Sequence, residues 1–197
     1  MTGIILSGGE NRRMGTDKAF LKLSGLPLIE HVLRSLKSVF HDLIIVTNAP
    51  DHYTAYGVTV VTDASDLKGP LTGIYSGLMR SSTEYNFVVA CDMPYLNPAL
   101  ISYMAGLAEG NDIVIPSVNG LLEPLHAVYH KRLIPLIEEQ IKHDRRRIRD
   151  LFGQVQMRYV TEQEIDRVDP GRKSFKNLNT PKDYEEATCS GWAYQSR

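Results

Sequence analysis

Apolar residues along this chain follow two patterns. Short unbroken runs, Ile4-Ile5-Leu6, Leu43-Ile44-Ile45-Val46-Thr47, Phe87-Val88-Val89-Ala90-Cys91 and Ile113-Val114-Ile115, predict strands buried on both faces. Between them apolar positions recur at helical spacing. Leu28, Ile29, Val32, Leu33, Leu36, Val39 and Phe40 predict a helix over residues 28–40 with Glu30, Arg34 and Lys37 turned to solvent. Leu71, Ile74 and Leu78 predict another, opened by Gly69-Pro70, where proline in the first turn forfeits no hydrogen bond. Val58-Thr59-Val60-Val61-Thr62 reads as a further strand, and Asn97-Pro98 caps a helix expected to end near Leu107. Strand and helix alternate, which predicts an α/β fold with a doubly wound, mostly parallel sheet.

Beyond Pro116 the pattern is less regular. Residues 123–129 predict an edge or antiparallel strand, residues 133–141 a helix, and the stretch from Arg145 to Phe152 a short amphipathic helix ended by Gly153. A last strand is expected over residues 156–160 and a last helix from Thr180-Pro181. No internal repeat and no Gly-, Ser- or Pro-rich linker divides the chain. The expectation is one domain over residues 1–188, with residues 189–197 as a disordered tail.

Composition narrows the partners. The 197 residues carry a net charge of −1, so no broad basic excess points to nucleic acid, and local clusters of arginine read as serving a small anionic ligand. The two cysteines, Cys91 and Cys189, give no disulfide framework and suit a reducing compartment. No leader pattern and no run of about 20 apolar residues is present, so the expectation is a cytoplasmic protein with no membrane contact.

Candidate chemistry concentrates after the first strand. Ser7-Gly8-Gly9 lets the backbone turn sharply and approach a ligand, while Arg12, Arg13 and Lys18 bring cations beside its N–H groups. That combination suits a triphosphate. The spacing is not a P-loop, because Thr16-Asp17 intervene between Gly15 and Lys18, and not a dinucleotide-binding turn, because Arg12 stands where the third glycine belongs. In an open α/β sheet ligands sit beyond the carboxyl ends of the strands, where Asn48, Asp63 and Asp92 also fall. A carboxylate at a strand end beside a phosphate loop holds Mg²⁺ against substrate phosphates, which makes Asp92 the expected metal ligand. Asp63 reads equally well as a turn cap. Cys91 reads as a small core residue, His126 as a packed or solvated histidine, and Arg145-Arg146-Arg147 as a solvated helix face.

Leu6-Ser7-Gly8-Gly9 followed by Arg13-Met14-Gly15-Thr16-Asp17-Lys18 resembles the signature of the molybdenum cofactor guanylyltransferases, within the Rossmann-like nucleotidyltransferases. The one departure inside the motif is Ser7 in place of alanine. The resemblance implies nucleotide contacts from the backbone at Leu6, Ser7 and Gly8, from Lys18, and from Asp63 and Asp92, with Asp92 on the metal. It implies a guanine pocket beside Gly8, Asp63 and Gly69, and it places Asn177-Leu178-Asn179-Thr180-Pro181 at the mouth of the cleft near a pterin. The implied reaction moves GMP from GTP to the phosphate of molybdopterin or Mo-molybdopterin, with Lys18, Arg13 and Mg²⁺ on Asp92 offsetting charge, and molybdoenzyme maturation proteins stand downstream as partners. The rival readings are a cytidylyltransferase or sugar-phosphate nucleotidyltransferase of the same fold, and a non-catalytic nucleotide-binding regulatory subunit. Ser7-Gly8-Gly9 argues against a cytidylyltransferase, since those of the pterin pathway typically carry Ala-Ala-Gly there, and the 197 residues argue against a sugar-phosphate enzyme, which usually carries an extra domain. Lys18 and Asp92 together argue against the last.

Overall fold

The apolar run at the amino terminus forms β1 (Thr2–Ser7), all six of whose residues are buried. A computed structural model describes residues 1–8, 18–62 and 69–189. A short ribbon of β2 (Lys22–Leu23) and β3 (Leu26–Pro27), which the periodicity does not announce, turns at Ser24 and Gly25, both with positive φ. It leads into α1 (Leu28–Lys37), which stops at Lys37 instead of Phe40. The amides of Val39 and Phe40 both donate to the Leu36 carbonyl, a tightened last turn that carries Phe40 into the core. Then follow β4 (Asp42–Thr47), β5 (Thr59–Thr62), α2 (Pro70–Arg80), β6 (Tyr85–Ala90) and α3 (Pro98–Gly106). Asn97 caps α3 as its sequence predicts, its side chain accepting from the Ala99 amide at 2.9 Å.

The second half supplies what periodicity left open. Asn119-Gly120, at φ of 51° and 74°, turns β7 (Ile113–Val118) back into β8 (Leu121–Leu122), the two-residue connection that Asn-Gly favours. Next, β9 (His126–His130) is an interior strand and not an edge, antiparallel to β6 on one side and to β7 on the other. Helix α4 (Ile134–Lys142) ends through Asp144 at φ 56°. The expected amphipathic helix from Arg145 therefore reduces to one 3₁₀ turn at Ile148–Leu151, the only stretch there with buried apolar side chains to anchor it. Strand β10 (Met157–Val160) precedes α5 (Glu162–Asp166), a helix opened by a capping box in which Thr161 and Glu164 satisfy each other's backbone amides. Helix α6 (Pro181–Cys189) closes the described chain, and the rest of the expected tail lies outside the described residues.

The sheet order is β10-β7-β9-β6-β1-β4-β5, mostly parallel, with β9 the reversed member of that path. Alternate residues of β1 fill opposite layers. Ile5 joins Leu33, Leu36 and Val89 on one face, whereas Ile4 and Leu6 join Ile74, Leu78 and Val88 on the other. The expected doubly wound α/β fold is present. Because β4 lies on one side of β1 and β6 on the other, the chain reverses its direction of winding between β1 and β6, and a crevice opens at their carboxyl ends. Among the described residues no helix is long and apolar enough to cross a membrane.

Helix α2 lies directly over β1 through two glycines. A Cβ at Gly77 would stand 2.6 Å from Ile4 Cγ2, and one at Gly73 3.2 Å from Leu6 Cδ2. Alanine at position 77 gains about 1 kcal/mol of helix propensity but meets an overpacking cost of about 1–3 kcal/mol. We therefore expect Gly77→Ala to lower stability by up to about 2 kcal/mol, while Gly106→Ala, where a Cβ meets nothing within 4 Å, raises it slightly. Urea unfolding of both variants checks this, and a stabilised Gly77→Ala protein would show that the helix has room to lift.

Candidate active site

At the crevice, Gly8 follows β1, Asn48 follows β4, and Asp92 stands just beyond β6; all three line one cavity of about 480 Å³. The strand ends are tied together there. The Cys91 amide donates to the Leu6 carbonyl at 3.1 Å, which carries the β1–β6 ladder one step past β6 and fixes where Asp92 emerges. On the β4 side the amino end of α2 opens onto the same space through Gly69, Pro70 and Gly73. Gly69 adopts φ 154°, a conformation that side chains disfavour, and its carbonyl accepts from the Thr72 hydroxyl at 2.7 Å. The helix thus starts abruptly, with its positive end toward the cavity.

The far wall comes from the carboxyl-terminal segment. Leu178 is fully buried against Leu23, Leu28 and Ala187, and its amide donates to the Asp92 carbonyl at 3.0 Å. Anchoring Leu178 leaves Asn177 and Asn179 on the cavity. Lys18 then reaches across: its Nζ donates to Asn179 Oδ1 at 2.9 Å, and the side chain is only 9% exposed. Either Asn179 or Thr180 is a reasonable helix cap from sequence. The Thr180 hydroxyl accepts from the Asp183 amide, and the Asp183 carboxylate accepts from the amides of Asn179 and Thr180 at 2.8 and 2.7 Å. Asn179 is thereby released to hold Lys18. Those amide bonds also keep the Asp183 carboxyl below its ordinary range.

Of the residues expected at the site, Leu6, Gly8, Lys18 and Asp92 come together as the sequence suggests. Ser7 is buried and spends its hydroxyl on Tyr53 OH at 2.6 Å, away from the cavity, so the departure from alanine serves packing. Gly9, Arg13 and Asp63 lie outside the described residues. Glu123 was missed. It lines the cavity from the turn before β9, and its only sequence signal is a carboxylate between Leu122 and Pro124. Burial raises the carboxyls of both Asp92 and Glu123 above their ordinary range; at Asp92 the charge of Lys18 and its own backbone amide pull partly the other way.

The remaining candidates are structural. His126 is fully buried, its ring 5.1 Å from that of Phe87 and 4.8 Å from that of Phe175, and burial lowers its pKa to about 3. It is a neutral, packed histidine. Arg145, Arg146 and Arg147 are exposed as expected, though on irregular chain and not on a helix, with Arg146 paired to Asp144. Cys91 is buried just beyond β6 among apolar side chains and forms part of the cavity wall.

Known proteins share this arrangement. Residues 3–160 match the model of the MobA-like NTP transferase domain. A molybdenum cofactor guanylyltransferase from Desulfosudis oleivorans is 39% identical over 192 residues, 96% of this chain and 95% of that protein. The chain belongs to the MobA-like NTP transferase family. A probable molybdenum cofactor guanylyltransferase from Natranaerobius thermophilus is 40% identical over 193 residues, 95% of this chain and 94% of that one. The crystal structure of molybdopterin-guanine dinucleotide biosynthesis protein A from Archaeoglobus fulgidus superposes with a TM-score of 0.85 at 28% identity, over 96% of this chain and 99% of that chain. Membership of the MobA-like family makes the protein a nucleotidyltransferase of Rossmann-like fold, enzymes that are generally metal-dependent.

The raised carboxyl of Asp92 has a consequence for stability. A carboxyl whose folded pKa exceeds its unfolded value stabilises the fold below the unfolded pKa, and that contribution is lost as pH rises through the folded value. At neutral pH without metal or nucleotide, ionised Asp92 is therefore a net cost. Asp92→Asn should melt at a higher temperature than the parent at pH 7 in EDTA, with the gap closing as pH falls below the ordinary carboxylate range. Equal melting curves at both pH values would contradict this.

Proposed function

We propose that this protein transfers GMP from GTP to the terminal phosphate of molybdopterin, or of its molybdenum-loaded form, with release of pyrophosphate. The observation that carries the reading is Asp92 on the wall of the switch-point cavity with the charge of Lys18, tied to Asn179 on the same wall, acting on it, in a chain whose relatives are named for that reaction. A phosphate monoester is already ionised at neutral pH, so no protein base is needed. One of its oxygens attacks the α-phosphorus of GTP in line, and the bond to the β-phosphate oxygen breaks with its electron pair leaving on pyrophosphate. What the protein must supply is position and compensating charge. Lys18, held by Asn179, sets a cation at the site without losing side-chain freedom on binding. The amino end of α2 at Gly69-Pro70 adds N–H dipoles to those of the glycine loop at Gly8. Arg13 and the Gly9 backbone belong to the same reading on sequence grounds.

Asp92 is the residue that would hold a metal, and Mg²⁺ suits it. Among the described residues no three His, Cys, Asp or Glu side chains gather to enclose an ion. Mg²⁺ commonly takes one or two carboxylates and completes its shell from substrate phosphates and water. When bound, it supplies positive charge to the phosphate oxygens. On this reading the small-molecule partners are GTP and molybdopterin, the product passes to molybdoenzyme maturation proteins, and the setting is the cytoplasm.

Two measurements test the proposal. With molybdopterin as acceptor, pyrophosphate release should prefer GTP over ATP and CTP by at least about tenfold, or about 1.4 kcal/mol, because acceptors built for the guanine N1–H and amine go unpaired with other bases. Equal use of CTP, or a requirement for a sugar phosphate, would refute guanylyl transfer. Lys18→Ala and Asp92→Ala should each reduce kcat by about 100-fold or more at saturating GTP and Mg²⁺. Turnover within twofold of the parent would remove that residue's role.

A further inference from the structure

The cavity has two unlike flanks. Adjacent strands stand about 4.8 Å apart, so the order β4-β1-β6-β9 lays its wall out in sequence: Asn48, Gly8, Asp92, then Glu123 in the turn that opens β9. Backbone donors for phosphate, at Gly8 and at the start of α2, lie on the β1–β4 side of Asp92. Glu123 lies on the other side. A carboxylate there repels phosphate and needs donors, and among the described residues no charge or hydrogen bond acts on it to offset its burial.

The mount of Glu123 is rigid. Its amide donates to the Pro116 carbonyl at 3.0 Å, and its carbonyl accepts from the His126 amide at 3.1 Å. The next carbonyl, of Pro124, accepts from Tyr129 OH at 2.8 Å, and that of Leu125 from the Ala90 amide at 3.2 Å. Four bonds thus fix three consecutive residues beside Asp92. A carboxylate on a backbone fixed in this way is what a planar ring with two adjacent N–H donors requires.

Resting on the guanylyl-transfer reading, we infer that Glu123 is a specificity-determining residue for the acceptor, its carboxylate receiving the N3–H and 2-amino hydrogens of the pterin ring. The nucleotide occupies the β1–β4 flank, the acceptor the β6–β9 flank, and the phosphate under attack meets the α-phosphorus between them, at Asp92. The 2-amino-4-oxo edge pairs bidentately with a carboxylate. A 2-oxo ring presents an acceptor in place of the amine and is repelled by Glu, but it matches the amide of Gln. The site's choice between the two rings should therefore invert in Glu123→Gln.

The test uses the full-length protein and two probes, 6-hydroxymethylpterin and its 2-oxo counterpart 6-hydroxymethyllumazine, each titrated as a competitor of molybdopterin in calorimetry without nucleotide. The parent should favour the pterin by about tenfold or more. Glu123→Gln should weaken molybdopterin binding by about tenfold, bring the lumazine level with or ahead of the pterin, and leave the KM for GTP within about twofold. Equal binding of both probes by the parent overturns the assignment. So does a Glu123→Gln effect that falls on the KM for GTP or on the Mg²⁺ concentration required. If the parent forms no guanine dinucleotide from GTP and molybdopterin, the guanylyl-transfer reading fails by itself. Normal turnover without probe discrimination removes only Glu123.

Discussion

The structure depends on one constraint: β1 is buried on both faces and paired on both edges. A strand in that position must alternate its apolar side chains between two layers, as Ile4, Ile5 and Leu6 do, and it must be approached closely by the helix above it. Gly73 and Gly77 permit that approach, and by seating α2 on β1 they also aim the start of α2 at the end of β1. The same placement that completes the core therefore delivers Gly69 and its helix dipole to the crevice. Because the neighbours of β1 are reached by windings of opposite sense, nothing in the sheet itself fills the space between the ends of β1 and β6. Packing in the core and the existence of a cavity have a common origin.

Much of this was legible in the sequence, and the reason is local. A parallel strand covered on both sides must be an unbroken apolar run, so β1, β4, β6 and β7 announce themselves without reference to the rest of the chain. Gly8 and Asp92 were legible because they sit where such strands end. The interior place of β9 was not. Its composition suits a buried strand of either sense, and its interior position depends on pairing with both β6 and β7. Asn119-Gly120 and the Thr161–Glu164 box were readable signals for a hairpin and a helix start that periodicity alone passes over. The tie from Lys18 to Asn179 spans most of the chain and leaves no local trace.

The site is also where the molecule departs from what stability alone would choose. Two carboxyls, Asp92 and Glu123, are partly withdrawn from water on one cavity, and only the first has a cation acting on it. In a core region such groups would be replaced by apolar ones at no loss. On the proposed function, their cost is the counterpart of a cavity prepared for charged and donor-bearing ligands, whose binding would restore what burial took away. His126 shows the contrasting case. More deeply buried but held neutral between two aromatic rings, it imposes no charge on the fold and lies off the cavity wall.

The carboxyl-terminal segment gives the active site its last dependence on the whole chain. The stretch that matches the family model ends at residue 160, yet Asn177 and Asn179 line the cavity and Asn179 holds Lys18. They are placed by three separate contacts: Leu178 buried under the β2–β3 ribbon and α1, its amide on the Asp92 carbonyl, and the Asp183 carboxylate closing the turn ahead of α6. Each contributes only about 1–3 kcal/mol, whether as a buried leucine, a neutral hydrogen bond or bonds to a carboxylate. Acting on consecutive residues they remove nearly all freedom from a segment with no regular structure of its own. A lysine that follows β1 in the sequence and a carboxylate from the end of β6 are in this way coupled through the far end of the sequence, so the cavity wall is complete only when that end has docked.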